Sequence, residues 1–162
     1  MTVFLELDDM LALVDDLGVG PVRDLGLVAS SAERPRASLY GVEAYPTIDP
    51  KAAALLDSVV RHHALLDGNK RLGWLAMVVF YGLNGIDLDA PDDDAYDLVI
   101  DIASGHLDVE EIAAGLARWH ERGAHDTARA ARRRRRSRGT GVDALRGGRA
   151  AGADRGRLHG RP

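Results

Sequence analysis

Four side chains that can carry acid–base or phosphate chemistry fall within one short stretch of the chain: His63, Asp67, Lys70 and Arg71. His63 continues the apolar spacing of the residues before it, so we expect it on the apolar face at the C-terminal end of a helix. The sequence Asp67-Gly68-Asn69 that follows is typical of a tight turn. The apolar residues beyond the turn predict that Lys70 and Arg71 open a second helix.

Two cations at the start of a helix point to an anion. Each opposes the helix dipole and costs roughly 0.3–1 kcal/mol, so Lys70 and Arg71 do little there for stability. The same place offers unpaired backbone N–H groups and the positive end of the dipole, which bind phosphate well when cations stand beside them. Gly68 lets a ligand approach the backbone closely. The stretch therefore predicts a phosphate-sized site.

The two remaining side chains fit a phosphoryl transfer reaction. Mg²⁺ is commonly held by one or two carboxylates together with substrate phosphates, and Asp67 is placed to do this. His63 is a plausible general base for an incoming hydroxyl. The residues alone also allow a structural interpretation, in which the turn is an ordinary one, the cations are solvated and His63 is a packed core histidine.

The elements that must position these residues are helical. Amphipathic spacing, stops at glycine and a capping pair at Asp108 and Glu111 predict an all-α bundle of about six helices. The fourth helix is apolar almost all round, so we expect it to be buried at the centre. Residues 36–47 lack a helical period and predict an extended loop or hairpin. The predicted helices cover about residues 7–17, 24–32, 50–64, 69–84 and 92–104, with the last beginning at 108.

Three other features attract attention but add nothing to the site. His62 is expected at the surface or at a helix end. The run Asp92-Asp93-Asp94 suits the positive end of the fifth helix without a metal. Gly18-Val-Gly20 lacks the strand and helix context of a nucleotide-binding loop. The predicted chemistry therefore stays between His63 and Arg71.

The charge is divided unevenly between two parts of the chain. Residues 126–162 carry 12 Arg against 3 Asp, a charge of +9, and residues 1–125 carry 9 Lys and Arg against 22 Asp and Glu, a charge of −13. We predict one folded domain over 1–125 and a disordered Arg/Gly-rich tail over 126–162. The tail is a possible nucleic-acid contact through phosphates. No aromatic side chain stands among its arginines to stack on bases, which favours non-specific adhesion to polyanions or to the acidic domain.

Composition also indicates a compartment. The chain has no cysteine, which excludes disulfides, thiolate metal sites and a cysteine nucleophile, and fits a reducing cytoplasm. No basic and apolar leader opens the sequence, so a signal peptide is not expected. The longest apolar run, within residues 72–83, is too short to span a bilayer. We therefore expect a cytoplasmic protein without a membrane partner.

The pattern His63-x-x-x-Asp67-Gly68-Asn69-Lys70-Arg71 resembles the motif of the Fic/Doc family in its Doc form. The resemblance covers roughly residues 1–122 and implies that family's helical fold. It also implies ATP and Mg²⁺ as substrate and metal. Further matching segments are Arg61, Tyr45-Pro46-Thr47, Phe80 to Gly85, and Leu25 to Pro35.

The resemblance assigns roles within the motif. His63 would deprotonate the target hydroxyl, and Asp67 would bind Mg²⁺ or orient the attacking group. Lys70 and Arg71 would act in catalysis as well as in binding. The residues implied to hold the ATP phosphates are Arg61, Gly68, Asn69, Lys70 and Arg71.

Lys70 distinguishes two branches of the family. In Fic enzymes a glycine at this position leaves room for the α- and β-phosphates, and the product is an adenylylated protein. In Doc a lysine fills that space, ATP binds reversed, and the γ-phosphate is transferred. The resemblance therefore implies a toxin kinase acting on a threonine or serine, with elongation factor Tu as the target and translation arrest as the result. Alternatives are a Fic-type adenylyltransferase, or an inactive relative that binds only an antitoxin or nucleic acid.

Two further elements follow from the resemblance. Residues 36–47 would be the flap that holds the target by strand addition, and a Phd-like antitoxin would fold its C-terminal segment near the active site. The sequence departs from the family pattern at three places. Ala64-Leu65 replaces Pro-Phe, Leu72-Gly73-Trp74 stands where Thr-Ala is usual, and the Arg-rich tail has no counterpart.

Overall fold

A computed structural model describes residues 1–120 and contains the predicted all-α bundle. A short 3₁₀ turn over Arg34–Arg36 links the second helix to a two-stranded hairpin. A sixth helix, α6, covers residues 109–120 of the described part. The other elements are α1 (Leu7–Leu17), α2 (Leu25–Glu33), β1 (Ser38–Leu39), β2 (Val42–Glu43), α3 (Ile48–His62), α4 (Asn69–Leu83) and α5 (Asp92–Ala103).

The predicted disordered tail at 126–162, with the last five residues of the predicted domain, lies outside the described residues and stays a prediction. Among residues 1–120, none of the helices has the length and apolar character needed to cross a membrane.

Local sequence explains where the helices begin and end. α1 ends at Gly18, whose φ of 62° places it in the left-handed region that stops a helix. α6 begins with the predicted capping box, in which the Glu111 N–H donates to the Asp108 side chain at 2.8 Å and the Asp108 N–H donates to the Glu111 side chain at 2.9 Å. α2 begins at Asp24, whose carboxylate accepts the Leu27 N–H.

The helix at the centre of the bundle is α3, and the prediction that α4 would hold that place was wrong. Every residue from 51 to 60 in α3 is buried, and the helix contacts α2, α4 and α5. Three successive alanines at 52–54 let neighbouring helices come close. α4 is apolar on its outer side for another reason, since Trp74, Leu75 and Val78 there line an open cleft.

Buried polar side chains in α3 are paired. Lys51 donates to the Glu43 carboxylate at 3.0 Å and to the Tyr45 carbonyl. Asp57 accepts from Arg61 Nε at 2.7 Å. Within residues 1–120 no buried side-chain nitrogen or oxygen lacks a hydrogen-bond partner. This pairing allows a helix with lysine and aspartate to occupy the centre of the bundle.

The predicted loop or hairpin over 36–47 is a hairpin. Ser38 pairs with Glu43 and Leu39 with Val42 in antiparallel register. Tyr40 and Gly41 form the turn with φ values of 51° and 79°, as a type I′ turn requires. The side chains of this hairpin are exposed, and its base is fixed by the ion pair from buried Lys51 to Glu43.

Candidate active site

The loop between α3 and α4, residues 63–68, holds the predicted base. His63 is the residue just past the last turn of α3, with φ 51° and ψ 43°. This left-handed conformation costs a residue other than glycine about 1–2 kcal/mol. It also turns the side chain away from the buried face of α3, so His63 is exposed. The expectation that His63 lies on the apolar face of this helix was therefore wrong.

Leu65 anchors the middle of this loop in the core. Its side chain is 1 % exposed, so the leucine that replaces the family's phenylalanine still fills a buried position. The Asn69 side chain forms two hydrogen bonds to the backbone of the same residue. It accepts the Leu65 N–H at 2.9 Å and donates to the Leu65 carbonyl at 2.8 Å. Asn69 therefore stabilises the loop, and its implied contact with a phosphate remains a prediction.

A second segment, residues 19–24, runs along the loop and is here called the strap. The Gly20 N–H donates to the Asp67 carbonyl at 3.1 Å, and the Leu66 N–H donates to the Pro21 carbonyl at 3.0 Å. Val22 and Leu65 form a single antiparallel bridge. Sequence reasoning misses the strap, because this segment has no helical or strand periodicity and its single glycine, Gly20, does not by itself indicate a contact with the loop.

Gly68 joins the loop to α4 and is needed there for two reasons. Its φ of 93° is one that other residues rarely adopt, and a Cβ at this position would stand 2.5 Å from Val19 Cβ of the strap. As the residue before α4, Gly68 offers no side-chain cap to the helix. The N–H groups of the first turn of α4 are therefore not capped from Gly68 and point to where an anion would bind.

The two predicted cations lie on that first turn. Lys70 and Arg71 are both exposed. Arg71 Nη2 lies 3.2 Å from Asp67 Oδ2, with the carboxylate 84 % exposed, so this pair adds little to stability. Lys70 has no ion-pair partner within residues 1–120. An anion at this turn would meet one cation without a partner in the described part of the chain, Lys70, and one loosely paired cation, Arg71.

A cleft of about 980 Å³, a size within the usual range for small-molecule sites, brings together all of the predicted site residues except Arg61. His63 and residues 67–71 line one end of it. The other walls come mainly from α4 and α5 and are mostly apolar. They include Trp74, Leu75, Val78, Tyr96, Val99 and Ile100. The cleft thus has a charged end and an apolar end.

Arg61 is the predicted phosphate-binding residue that the structure does not bring to this cleft. Its Nε pairs with Asp57 at 2.7 Å, and its Nη2 donates to the Leu107 carbonyl. It lines a separate cavity of about 650 Å³ beside His106. Both ends of the guanidinium are committed to the protein, and an auxiliary role on ATP remains only an expectation from the resemblance.

The structure confirms that His62 stands at a helix end and gives it a partner. Its Nδ1 lies 3.0 Å from the buried Ser31 Oγ. The Ser31 hydroxyl donates to the Leu27 carbonyl at 2.8 Å. The two contacts of the serine hydroxyl connect the His62 ring to α2. His62 is thereby a structural residue beside the candidate base.

Residues 1–120 contain no group of three histidine, aspartate or glutamate side chains arranged to hold a metal. Asp67 is a single exposed carboxylate at the charged end of the cleft. This donor set fits a magnesium ion that shares its coordination with substrate phosphates, rather than one held by the protein alone.

Comparison with known proteins identifies the family of this chain. The family model described as the Fic/DOC family matches residues 4–81, which include the whole loop and most of α4. The chain is also 44 % identical over 122 residues to a protein of Mycolicibacterium smegmatis named Toxin Doc, over 72 % of this chain and 93 % of that relative. The chain belongs to the Fic/DOC family.

Proposed function

We propose that this chain is the toxin of a toxin–antitoxin pair and that it transfers the γ-phosphate of ATP to a serine or threonine hydroxyl of a cytoplasmic protein. The proposed target is elongation factor Tu, and the result is translation arrest. The relative's name, Toxin Doc, supports the general role. The observation that carries the chemistry is one cleft that holds an exposed histidine beside Lys70 and Arg71 at a helix N-terminus.

The charged end of the cleft would hold the phosphates of ATP. The N–H groups of the first turn of α4, with Lys70 and Arg71, supply hydrogen-bond donors and positive charge in one place. Asp67 would hold Mg²⁺, which neutralises phosphate charge when it is bound. Arg71 would then exchange its exposed pair with Asp67 for phosphate contacts. The apolar end of the cleft leaves space for the rest of the nucleotide.

His63 would act as the general base. One imidazole nitrogen takes the proton of the target hydroxyl, the hydroxyl oxygen forms a bond to the γ-phosphorus, and the bond from that phosphorus to the bridging oxygen breaks to release ADP. The exposed position of His63 at the cleft allows a protein hydroxyl to reach it. The exposed hairpin over 38–43 would hold the target segment by strand addition.

Lys70 supports the choice of the γ-phosphate. Its side chain would occupy the space that a glycine leaves open in adenylyltransferases of the family, so ATP would bind with its γ-phosphate toward His63. A Phd-like antitoxin would neutralise the enzyme by covering the region near this cleft. Nucleic-acid binding by residues 126–162 would be a separate property.

A double-label experiment tests the proposal. The full chain is incubated with elongation factor Tu, Mg²⁺ and ATP labelled at the γ- or the α-phosphate. We expect label on the target from the γ-position and none from the α-position, lost in His63→Ala and kept in His106→Ala. His106 is a matched control because it is exposed and does not line the cleft.

Two results would overturn the proposal. Label from the α-position alone would identify an adenylyltransferase. Growth arrest on expression that persists in His63→Ala, with no label from either position, would identify a protein that acts by binding.

A further inference from the structure

His63 carries a backbone conformation that its own side chain does not favour, so the surrounding structure must hold it. The residue is the left-handed turn between α3 and the loop. The peptide group that follows it, from His63 to Ala64, sets where the imidazole stands relative to the first turn of α4. A rotation of that peptide group would move the ring in the cleft.

Arg23 of the strap holds this peptide group and the peptide group that follows it. Its Nη2 donates to the His63 carbonyl at 2.9 Å. Its backbone N–H donates to the next carbonyl, that of Ala64, at 2.8 Å, and the Asp24 N–H donates to the same oxygen at 3.1 Å. The guanidinium contributes a charge-assisted bond, which is stronger than a neutral one. Two successive carbonyls are thereby held by one short segment.

Other roles for the Arg23 side chain do not fit its position. It does not line the cleft, so it is not placed to touch the nucleotide. It is exposed, so it is not needed to fill the core. Its one hydrogen bond among the described side-chain contacts is to the candidate base's own carbonyl.

We propose that Arg23 is a positioning residue that keeps His63 in its left-handed conformation and so keeps the imidazole at the charged end of the cleft. The kinetic part of this inference rests on the proposed function, and the conformational part does not. The backbone bonds from Arg23 and Asp24 to Ala64 survive a side-chain substitution, so the fold should persist without the guanidinium.

The test compares Arg23→Met and Arg23→Lys with Arg118→Met in the full chain. Arg118 is exposed and lines neither cavity, so its substitution removes the same charge elsewhere. Nuclear magnetic resonance follows the His63 ring and the Ala64 amide. We expect both signals to shift in Arg23→Met, to return toward the wild-type positions in Arg23→Lys, and to stay in place in Arg118→Met.

Kinetics supply the second readout. Because the ring is misplaced while the phosphate site is intact, kcat for label transfer should fall roughly 10- to 100-fold in Arg23→Met, with KM for ATP changed less than about threefold. Arg23→Lys should recover most of kcat. Unmoved His63 and Ala64 signals, an unchanged kcat, an equal change in KM, or no recovery by lysine would each overturn the inference.

Two provisions keep the result separate from the proposed function. If the wild-type chain transfers no label, the resonance shifts still decide whether Arg23 positions His63, and only the proposed function fails. If Arg23→Met does not fold, the wild-type protein gives the answer. Its Arg23 Nη hydrogens should exchange slowly and rotate slowly about the Nε–Cζ bond, and signals averaged like those of a free arginine would contradict the inference.

Discussion

The charged groups at the start of α3 and those just past its end differ in burial and in pairing. At the N-terminal end, Lys51 is 3 % exposed and paired with Glu43, and Asp49 accepts hydrogen bonds from the Tyr81 hydroxyl at 2.7 Å and from His120 Nδ1 at 3.2 Å. Just beyond the C-terminal end, the charged groups of the loop and of the first turn of α4 lie exposed around a cleft, and the one ion pair among them within residues 1–120, Arg71 with Asp67, is exposed as well.

The difference separates charge that holds the fold from charge that is available to a ligand. Buried polar groups stabilise a protein only when they are paired, and the N-terminal group meets that condition. Exposed cations at a helix N-terminus oppose the helix dipole, and they favour the binding of an anion there. Substitutions at the first end should therefore change stability, and substitutions at the second should change activity.

The largest effect is expected at His63. His63→Ala should lower label transfer by roughly 100- to 10,000-fold, because general-base catalysis contributes that much. The free energy of unfolding of this variant in urea should change by less than about 0.5 kcal/mol, because the lost imidazole is exposed and alanine keeps the Cβ at the same backbone position. A large loss of stability would mean that His63 holds the fold, as the paired charged residues at the start of α3 do.

Substitution of Gly68 should lower both stability and activity. Gly68→Ala forces a side chain into Val19 at a backbone conformation that alanine rarely adopts, which should cost about 1–3 kcal/mol of unfolding free energy and distort the phosphate site. Gly82→Ala is the matched control. That glycine lies inside α4 with open space around it, so the substitution should stabilise the protein by about 0.5–1 kcal/mol and leave activity intact. Equal effects in the two variants would contradict this account of the loop.

Lys51 and Lys70 test the comparison between the two charged regions directly. Lys51→Met leaves the Tyr45 carbonyl without its donor and frees the base of the hairpin, so the free energy of unfolding should fall by about 1–3 kcal/mol. Lys70→Met removes an exposed charge and should change stability by less than about 0.5 kcal/mol. Urea unfolding of both variants measures this, and limited proteolysis should cut the hairpin faster in Lys51→Met alone.

The smallest effect concerns Tyr81 and appears only in alkali. Burial raises the pKa of its hydroxyl, and the hydrogen bond to Asp49 raises it further. The unfolded chain loses this proton near pH 10 while the folded protein keeps it, so the stabilisation is complete below about pH 10 and is lost as the pH rises above it. Above that pH the wild type should lose roughly 1.4 kcal/mol per pH unit more than Tyr81→Phe. Parallel stability curves for the two proteins would be the contrary result.

Much of the bundle could be predicted from local sequence. The stop at Gly18 and the capping box of Asp108 with Glu111 mark helix ends without any tertiary information. The central place of α3 could not be predicted from local sequence, because Lys51 and Asp57 look like surface residues until their ion-pair partners are known.

One part of the candidate site could likewise be predicted from local sequence, and another part could not. The motif from His63 to Arg71 identified the charged end of the cleft, since its residues are close in sequence. The left-handed turn at His63, the contact from Arg23 and the separate placement of Arg61 all depend on segments far away in the chain. Periodicity and spacing carry no information about such contacts.

The central claim is that the cations at the start of α4 bind the phosphates of ATP. Calorimetric titration with a non-hydrolysable ATP analogue and Mg²⁺ at fixed ionic strength tests it most directly, in the wild type, Lys70→Met and Arg118→Met. The two variants lose the same charge, so long-range electrostatics is matched. Loss of a charge-assisted contact should weaken binding about tenfold or more in Lys70→Met and leave Arg118→Met like the wild type. Equal affinities in all three proteins would contradict the account.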